Sequence, residues 1–342
     1  MSKPAKLRLA FCGFRHGHIM GLYEAARRHE RVEVVAACEE DASAAAALKS
    51  AGKVELTHST YDQLYDDAAF DAVAVGDYFA RRGSVILRAL RANKHVISDK
   101  PICTNLGELE QIAAAAKANR RAVGCLLDLR DHGPFMTMRR QIREGAIGTV
   151  QTINITAQHP LMPGKRPAWY FEPGKHGGTI NDIGIHAIDL IPWLTGRTIF
   201  KIVAARAWNA RLPQFADFQD AAQILLELDN AGGVLGDLSY LAAEGVAYRS
   251  TQYWRVTCHG DGGVIETSYN AKSIELAGSG DASPRSIPAE AGDPTGCLEA
   301  FLNETDSSPR EGALTTEGVL DASRRVLLIQ QAADDGKTNV AL

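Results

Sequence analysis

The stretch Gly177 to Gly196 reads GGTINDIGIHAIDLIPWLTG and holds the residues best suited to chemistry. Asp182 stands four residues before His186, across small and apolar residues. If a helix begins near Gly184, the carboxylate and the imidazole face one cavity, a pairing suited to moving a proton on or off a substrate hydroxyl. A second polar signal, Asp99-Lys100-Pro101, ends a strand-like run far upstream. Together the two segments supply a base, a carboxylate and an ammonium.

Apolar periodicity predicts the elements that must carry these groups. Residues 7–12, 32–38, 71–77, 95–101 and 122–127 read as short buried strands. Helical patterns separate them: about 19–28, DASAAAALKSAG closed by glycine, a stretch through 85–92, and LGELEQIAAAAKAN. This alternation predicts an α/β chain that opens with a doubly wound parallel sheet of Rossmann type. After a helix over 134–148 the character changes. VQTINITA, FKIVAARAW, AAQILLEL, GVLGDLSYL, QYWRVTC and GVIETS predict a large, mostly antiparallel open sheet in a C-terminal α+β domain. A last helix over about 316–333 packs back on the body. The expected domains are 1–123, binding nucleotide, and 124–342, binding substrate and oligomerising. An exposed sheet face needs cover, so a homodimer or homotetramer is expected.

The first strand runs into Gly13-Phe14-Arg15-His16-Gly17-His18. In the GxGxxG register of a dinucleotide turn only Gly13 fits; Arg15 and His18 occupy the other two glycine places. Arg15 can offer its guanidinium to a phosphate instead. Glu39 follows the second strand at the place where an acid accepts hydrogen bonds from the adenosine ribose and repels a 2′-phosphate, which favours NAD over NADP. Asp41 caps the next helix.

Composition bounds the rest. The chain has 342 residues, 45% hydrophobic and 23% charged, with a formal net charge of −4. That argues against a nucleic-acid partner. No apolar run approaches the roughly 20 residues of a membrane helix, and the opening MSKPAKLRLAFCG has no leader-like apolar region. Six scattered cysteines without a CxxC predict thiols in a reducing compartment, so a cytoplasmic protein is expected.

These segments resemble the glucose–fructose oxidoreductase and inositol dehydrogenase family, Gfo/Idh/MocA, over nearly the whole chain. KHVISDKP is similar to the family's strand ending in EKP, with Asp99 in place of Glu. The 177–196 segment is similar to its GGG-x-x-x-D-x-G-x-H-x-x-D-x-x-x-W-L-x-G stretch, and IREGAIGTV and HGDGGVIE to two further ones. The resemblance implies a Rossmann domain followed by an α/β domain with an open sheet. It also implies roles. Lys100 contacts both nicotinamide ribose and substrate, Asp182 positions the substrate, and His186 is the general acid/base. Elementary chemistry agrees, because neutral histidine accepts a proton near pH 7 and an ammonium stabilises alkoxide character. Phe14, His16, Asp77, Tyr78 and Pro101 join Gly13, Arg15, Glu39 and Lys100 as expected cofactor neighbours. Arg15 departs from the family where glycine is frequent, Tyr78 where proline is, and Arg82 where histidine is.

The loop HPLMPGKRPAWYFEPGKHGG carries Arg166, Trp169, Tyr170, Lys175 and His176, residue types that grip polyols. Asp128, Arg130 and His132 follow the fifth strand and are further substrate candidates. Asp189 lies three residues after His186 and either orients the imidazole or pairs with a distant basic residue. His132, His159, His176, His186 and Asp182 form no tight ligand pair, so no metal is expected. The expected activity is NAD-dependent hydride transfer at a secondary hydroxyl of a sugar, polyol or glycoside. Its rivals are a cofactor-retaining enzyme that cleaves glycosides by transient oxidation, and a non-catalytic sugar or nucleotide sensor.

Overall fold

The computed structural model describes residues 5–342. The chain divides into two compact units, one comprising the residues up to Leu126 with Cys297–Asp321 and the other Leu127–Gly296 with Ala322–Leu342.

The first unit alternates strand and helix: β1 (Leu7–Cys12), α1 (His18–Arg28), β2 (Val32–Cys38), α2 (Ala42–Ala51), α3 (Tyr61–Asp67), β3 (Ala72–Val75), α4 (Phe79–Arg91), β4 (His95–Ser98), α5 (Leu106–Asn119) and β5 (Val123–Cys125). The strands form a five-stranded sheet in the order β2-β1-β3-β4-β5, every pair parallel. A parallel sheet is covered on both faces, which is why AVAV of β3 is wholly buried and apolar without alternation. The connection from β1 leads to β2 on one side and that from β3 to β4 on the other, and the crevice at such a switch point lies beyond the carboxyl ends of the strands. Local chemistry sets the helix ends. Asp41 accepts from the Ala44 amide at 2.8 Å to start α2, and Gly52 at φ 61° ends it. β1 and β2 form with the expected bounds, and β3, β4 and β5 are shorter than the sequence suggests: β4 stops at Ser98, before the polar Asp99-Lys100-Pro101. The short α3, started by Thr60, is not foreshadowed by any apolar period.

A later segment completes this unit. α8 (Gly296–Thr305) brings Leu298, Phe301 and Leu302 into the same core as Leu9, Phe11 and Ile97. Phe301 packs so tightly on Gly124 of β5 that a Cβ there would sit 3.0 Å from its ring.

The second unit contains α6 (Gly133–Arg143), β6 (Val150–Gln158), α7 (Ile185–Thr195), β7 (Ile199–Trp208), β8 (Ala221–Leu228), β9 (Gly233–Ser239), β10 (Arg255–Gly260), β11 (Gly263–Ser268), β12 (Ser273–Gly278) and β13 (Arg285–Pro288). The last helix, α9 (Thr316–Asp334), ends in it, followed by β14 (Val340–Ala341). Nine strands form one sheet in the order β13-β12-β11-β10-β6-β9-β8-β7-β14. Only β6 and β9 run parallel. Alternating burial along β8 shows one face packed and the other open. On the open face Leu225 and its cross-strand partner Leu235 are 38% and 58% exposed beside a groove of about 540 Å³.

The six expected strands of this sheet form, with two corrections: β9 stops at Ser239, short of Tyr240 and Leu241. QYWRVTC is not extended throughout: β10 begins at Arg255, because Trp254 sits in the left-handed region at φ 51°. Among the described residues no helix is long and apolar enough to cross a membrane, and no disulfide joins the cysteines.

Candidate functional site

The carboxyl ends of β1, β2, β3 and β4 gather the predicted cofactor residues of the first unit. Gly13 leaves β1 at φ 86°, and a Cβ there would stand 2.8 Å from the Asp77 amide and 2.9 Å from the Tyr61 hydroxyl. Only glycine fits this turn. Downstream, α1 starts at Gly17 with no side chain capping it and no acid in its first turn. Its leading amides can therefore receive an anion such as pyrophosphate. Arg15 sits beside this turn, 3.4 Å from Asp41 and 5.8 Å from the Tyr78 ring centroid. Phe14 contributes its main chain. Its ring packs inward at 5.8 Å from Phe11 and 5.7 Å from Tyr23.

Glu39 is 4% exposed. One of its oxygens accepts the Phe14 amide at 2.6 Å and the other the Asp41 amide at 2.8 Å. Burial pushes its carboxyl up, and these two amides pull against that. Asp77 braces the turn from below, accepting the Tyr61 hydroxyl at 2.7 Å and the Tyr78 amide at 2.8 Å.

Arg82, which stands where histidine is frequent in the family, has a structural place that the sequence does not announce. It is fully buried. Its guanidinium donates to the Asp77 carbonyl at 2.8 Å, to the Lys100 carbonyl, to the Pro101 carbonyl at 3.2 Å and to Asp99 at 3.1 Å. It therefore ties the end of β3 to the Asp99-Lys100-Pro101 segment, whose Lys100–Pro101 peptide is cis. This charge is a strut that fixes the main chain at Lys100. His16 Nδ1 lies 2.6 Å from the same Asp99 carboxylate, and burial pushes its imidazole down to about 4, with Asp99 opposing. Burial alone would raise Asp99, but Arg82 and the two histidines hold it well below the usual carboxylate range. His16, His18 and Asp99 lie close enough to share a metal ion. The guanidinium already on Asp99 supplies the positive charge that a metal would bring, so the donor set reads as a paired anion.

In the second unit the 177–196 segment folds as a π-helical turn over Ile180–Gly184 that runs into α7. Gly178, at φ 93°, passes so close to Gln330 of α9 that a Cβ would stand 2.2 Å from that side chain. The Gln330 carbonyl oxygen accepts the Ile180 amide at 2.9 Å. This anchoring sets the turn that carries Asp182 and the first turn of α7 that carries His186.

Asp182 is 2% exposed. It accepts the hydroxyl of Tyr240, while His176 Nε2 stands 3.4 Å from it and 3.2 Å from the Tyr240 oxygen. Arg166 lies 4.8 Å and 5.0 Å from the ring centroids of Tyr170 and Tyr240. Its side chain also donates to the Leu161 and Pro160 carbonyls at 2.9 and 3.1 Å. Burial works against its charge, but Tyr170, Tyr240 and Asp182 hold it above the ordinary value. Trp169 and Tyr170, expected to grip a polyol from an open loop, are each 1% exposed and pack against one another at 4.3 Å. They are the inner wall of this network.

His186 is 5% exposed and meets the edge of Trp254 at 5.3 Å. Asp128 Oδ1 lies 4.0 Å from its Nδ1. Asp189 does not orient the imidazole. It takes a bidentate pair from Arg130, at 2.7 and 2.6 Å, which ties the turn Asp128–Asp131 to α7. His132 packs on Tyr269 at 3.8 Å. Tyr240, Trp254, Tyr253 and Tyr269 carried no local sequence signal; each lies in or beside a strand that read as core.

Comparison with known proteins agrees with this fold. The model "Oxidoreductase family, NAD-binding Rossmann fold" matches residues 7–125 and the model "GFO/IDH/MocA C-terminal domain" matches residues 135–266. The chain is similar to inositol 2-dehydrogenase 2 of Saccharopolyspora erythraea, with 29% identity over 64% of this chain and 61% of that one. It is also similar to inositol 2-dehydrogenase of Rhizobium meliloti, with 26% identity over 78% of each chain. The match thus spans about three-fifths of the first relative's length. The fold superposes on an inositol dehydrogenase homolog from Azotobacter vinelandii complexed with NAD+ at a TM-score of 0.83, with 17% identity over 99% of this chain and 98% of that one. The chain belongs to the GFO/IDH/MocA family of oxidoreductases, with an NAD-binding Rossmann fold at its N-terminal end.

Proposed function

We propose that this chain is a dehydrogenase that prefers NAD over NADP and oxidises a secondary hydroxyl of a sugar, inositol or related polyol, or reduces the matching ketone. The observation that carries the reading is the buried His186, set on the first turn of α7 and edge-on to Trp254. A secondary alcohol yields hydride only as its proton leaves, and imidazole exchanges protons near neutrality. In this reading His186 takes the hydroxyl proton. Asp182, held by Tyr240 and His176, orients the substrate hydroxyls. Lys100 supplies the ammonium that favours alkoxide character. The nicotinamide accepts the hydride. Gly13, the leading amides of α1 and Arg15 would hold the pyrophosphate, and Glu39 and Tyr78 would lie toward the adenosine and nicotinamide ends. The relatives named inositol 2-dehydrogenase support a cyclic polyol. The exposed Leu225 and Leu235 on the open sheet face support a homo-oligomer with that face covered.

The test is a screen of inositols, sugars and sugar acids with NAD and NADP, followed by the absorbance of the reduced nicotinamide. Turnover of a polyol with NAD is the expected result. Glycoside cleavage without net nicotinamide reduction, or binding of a polyol with no turnover, would overturn the reading.

A further inference from the structure

Asp128, a substrate candidate by sequence, has no part in the proposed hydride transfer, yet its place is closely determined. It opens the turn Asp128–Asp131, which follows β5. Leu129 of that turn is 2% exposed and anchors it in the core. The next residue, Arg130, is clamped through Nε and Nη2 onto Asp189, a buried carboxylate on α7 three residues beyond His186. The clamp joins the backbone that carries Asp128 to the helix that carries His186. The Asp128 carboxylate lies 4.0 Å from His186 Nδ1, with its side chain 54% exposed against 5% for the imidazole. That gap is longer than a hydrogen bond. A change of rotamer at the exposed carboxylate, or one water, closes it.

We propose that Asp128 is the positioning residue of His186: its carboxylate holds the proton on Nδ1, so that Nε2 keeps its lone pair for the substrate hydroxyl. The inference rests on the reading of His186 as the acid/base. The two ring nitrogens are distinct, and the partner of one decides the protonation of the other. As Nε2 takes the hydroxyl proton the ring becomes an imidazolium, and a carboxylate on the Nδ1 side stabilises that cation. This is the division of labour between carboxylate and histidine in hydrolytic triads. Asp128 itself stays ionised, and the proton returns to water from Nε2 when product leaves. His132, Tyr253 and Tyr269 also face this carboxylate, and Arg130 is engaged by Asp189. Burial and the charge of Asp128 push the Tyr269 phenol up to about 12, so it stays protonated at neutral pH. Burial lowers His132 while Asp128 raises it.

The test compares Asp128→Asn, Asp128→Glu and His186→Ala in the full chain, using a polyol that the wild type oxidises with NAD. Asp128→Asn should lower kcat about tenfold to a hundredfold and move the acidic limb of the kcat profile by about one pH unit to lower pH, because the imidazolium has lost its counter-charge. Asp128→Glu should restore most of both. In a His186→Ala background Asp128→Asn should cost nothing further. A lower plateau with an unmoved limb would make Asp128 a structural or substrate-binding residue and overturn the proposal. So would an additive loss in the double variant. Wild-type turnover in His186→Ala would instead remove the acid/base reading beneath it, so the two failures are told apart.

Discussion

Tyr240 donates its phenolic hydrogen to the carboxylate of Asp182, and both side chains are withdrawn from solvent. Burial holds the Tyr240 phenol well above its ordinary range, and the neighbouring Asp182 charge adds to this. The hydroxyl therefore remains a donor at every working pH. The orientation of Asp182 is thus set from β9's end, with His176 closing the group.

Tyr240→Phe should consequently leave a buried carboxylate with one donor fewer. The expected loss is about 1–3 kcal/mol of stability, the usual cost of an unsatisfied buried group. KM for the polyol should rise more than kcat falls, because the defect lies in substrate orientation. Chemical unfolding and steady-state kinetics on the same preparation check both. An unchanged unfolding midpoint would show that His176 alone suffices to hold Asp182.

Arg82 and Asp99 form a second buried pair, each fully inaccessible. Removing one partner of such a pair strands the other charge, typically at 3–5 kcal/mol. Arg82→Ala should lower the thermal midpoint strongly and release the Lys100 segment, weakening NAD binding. Arg82→Lys keeps a charge but loses the planar fork that reaches three carbonyls and a carboxylate, so it should recover only part of the loss. Differential scanning calorimetry with and without NAD separates the effect on stability from that on the cofactor.

The oxygens of Glu39 accept the Phe14 and Asp41 amides, and in the proposed reading its negative charge also disfavours a 2′-phosphate. NAD should be preferred over NADP by at least about tenfold, or about 1.4 kcal/mol. Glu39→Ser should narrow the preference and loosen the glycine turn, lowering affinity for both cofactors. Equal efficiency with the two cofactors in the wild type would remove Glu39 from cofactor choice.

Much of this was legible in the chain, for physical reasons. Buried parallel strands are largely apolar, so β1 to β5 announced themselves. Asp41 and Gly52 marked the ends of α2 because caps are local. Residues whose roles depend on distant partners gave no signal. A buried Arg82 contradicts the expectation that guanidinium groups lie at the surface, and only the convergence of β3 and β4 explains it. Asp189 is three residues from His186 but 59 from Arg130, and spacing alone cannot choose between them. Trp254 reads as strand, yet its left-handed backbone turns the indole onto His186.

Glu108 offers a stability prediction with a definite sign. Its carboxyl lies against Gly83 of α4, so close that a Cβ there would stand 2.0 Å from it. Among the described residues its Oε2 is buried with no hydrogen-bond partner. Burial pushes this carboxyl above its ordinary value, so the folded state holds the proton more tightly than the unfolded chain. Stability from this group is then present at low pH and is lost as pH rises from the unfolded toward the folded pKa. Glu108→Gln should make the protein more stable near neutrality and flatten its pH dependence in that window. Denaturant midpoints measured across the mildly acidic range check it; a less stable variant at neutral pH would mean the charge has a partner in solution.

The decisive prediction concerns His186. His186→Ala should leave NAD affinity nearly intact, because the residue lies in the unit that does not carry the glycine turn. Turnover should fall by about two to four orders of magnitude, the usual worth of acid–base assistance. Lys100→Ala should impair both cofactor binding and turnover, and Asp182→Asn mainly substrate binding. The acidic limb of the wild-type pH profile, where an imidazolium cannot accept the hydroxyl proton, should vanish in His186→Ala. Calorimetric titration of NAD and the pH dependence of kcat separate these outcomes. Should His186→Ala keep wild-type turnover and the same limb, the base lies elsewhere. His176, 6% exposed and already bonded to the Tyr240–Asp182 pair, is then the imidazole to replace next.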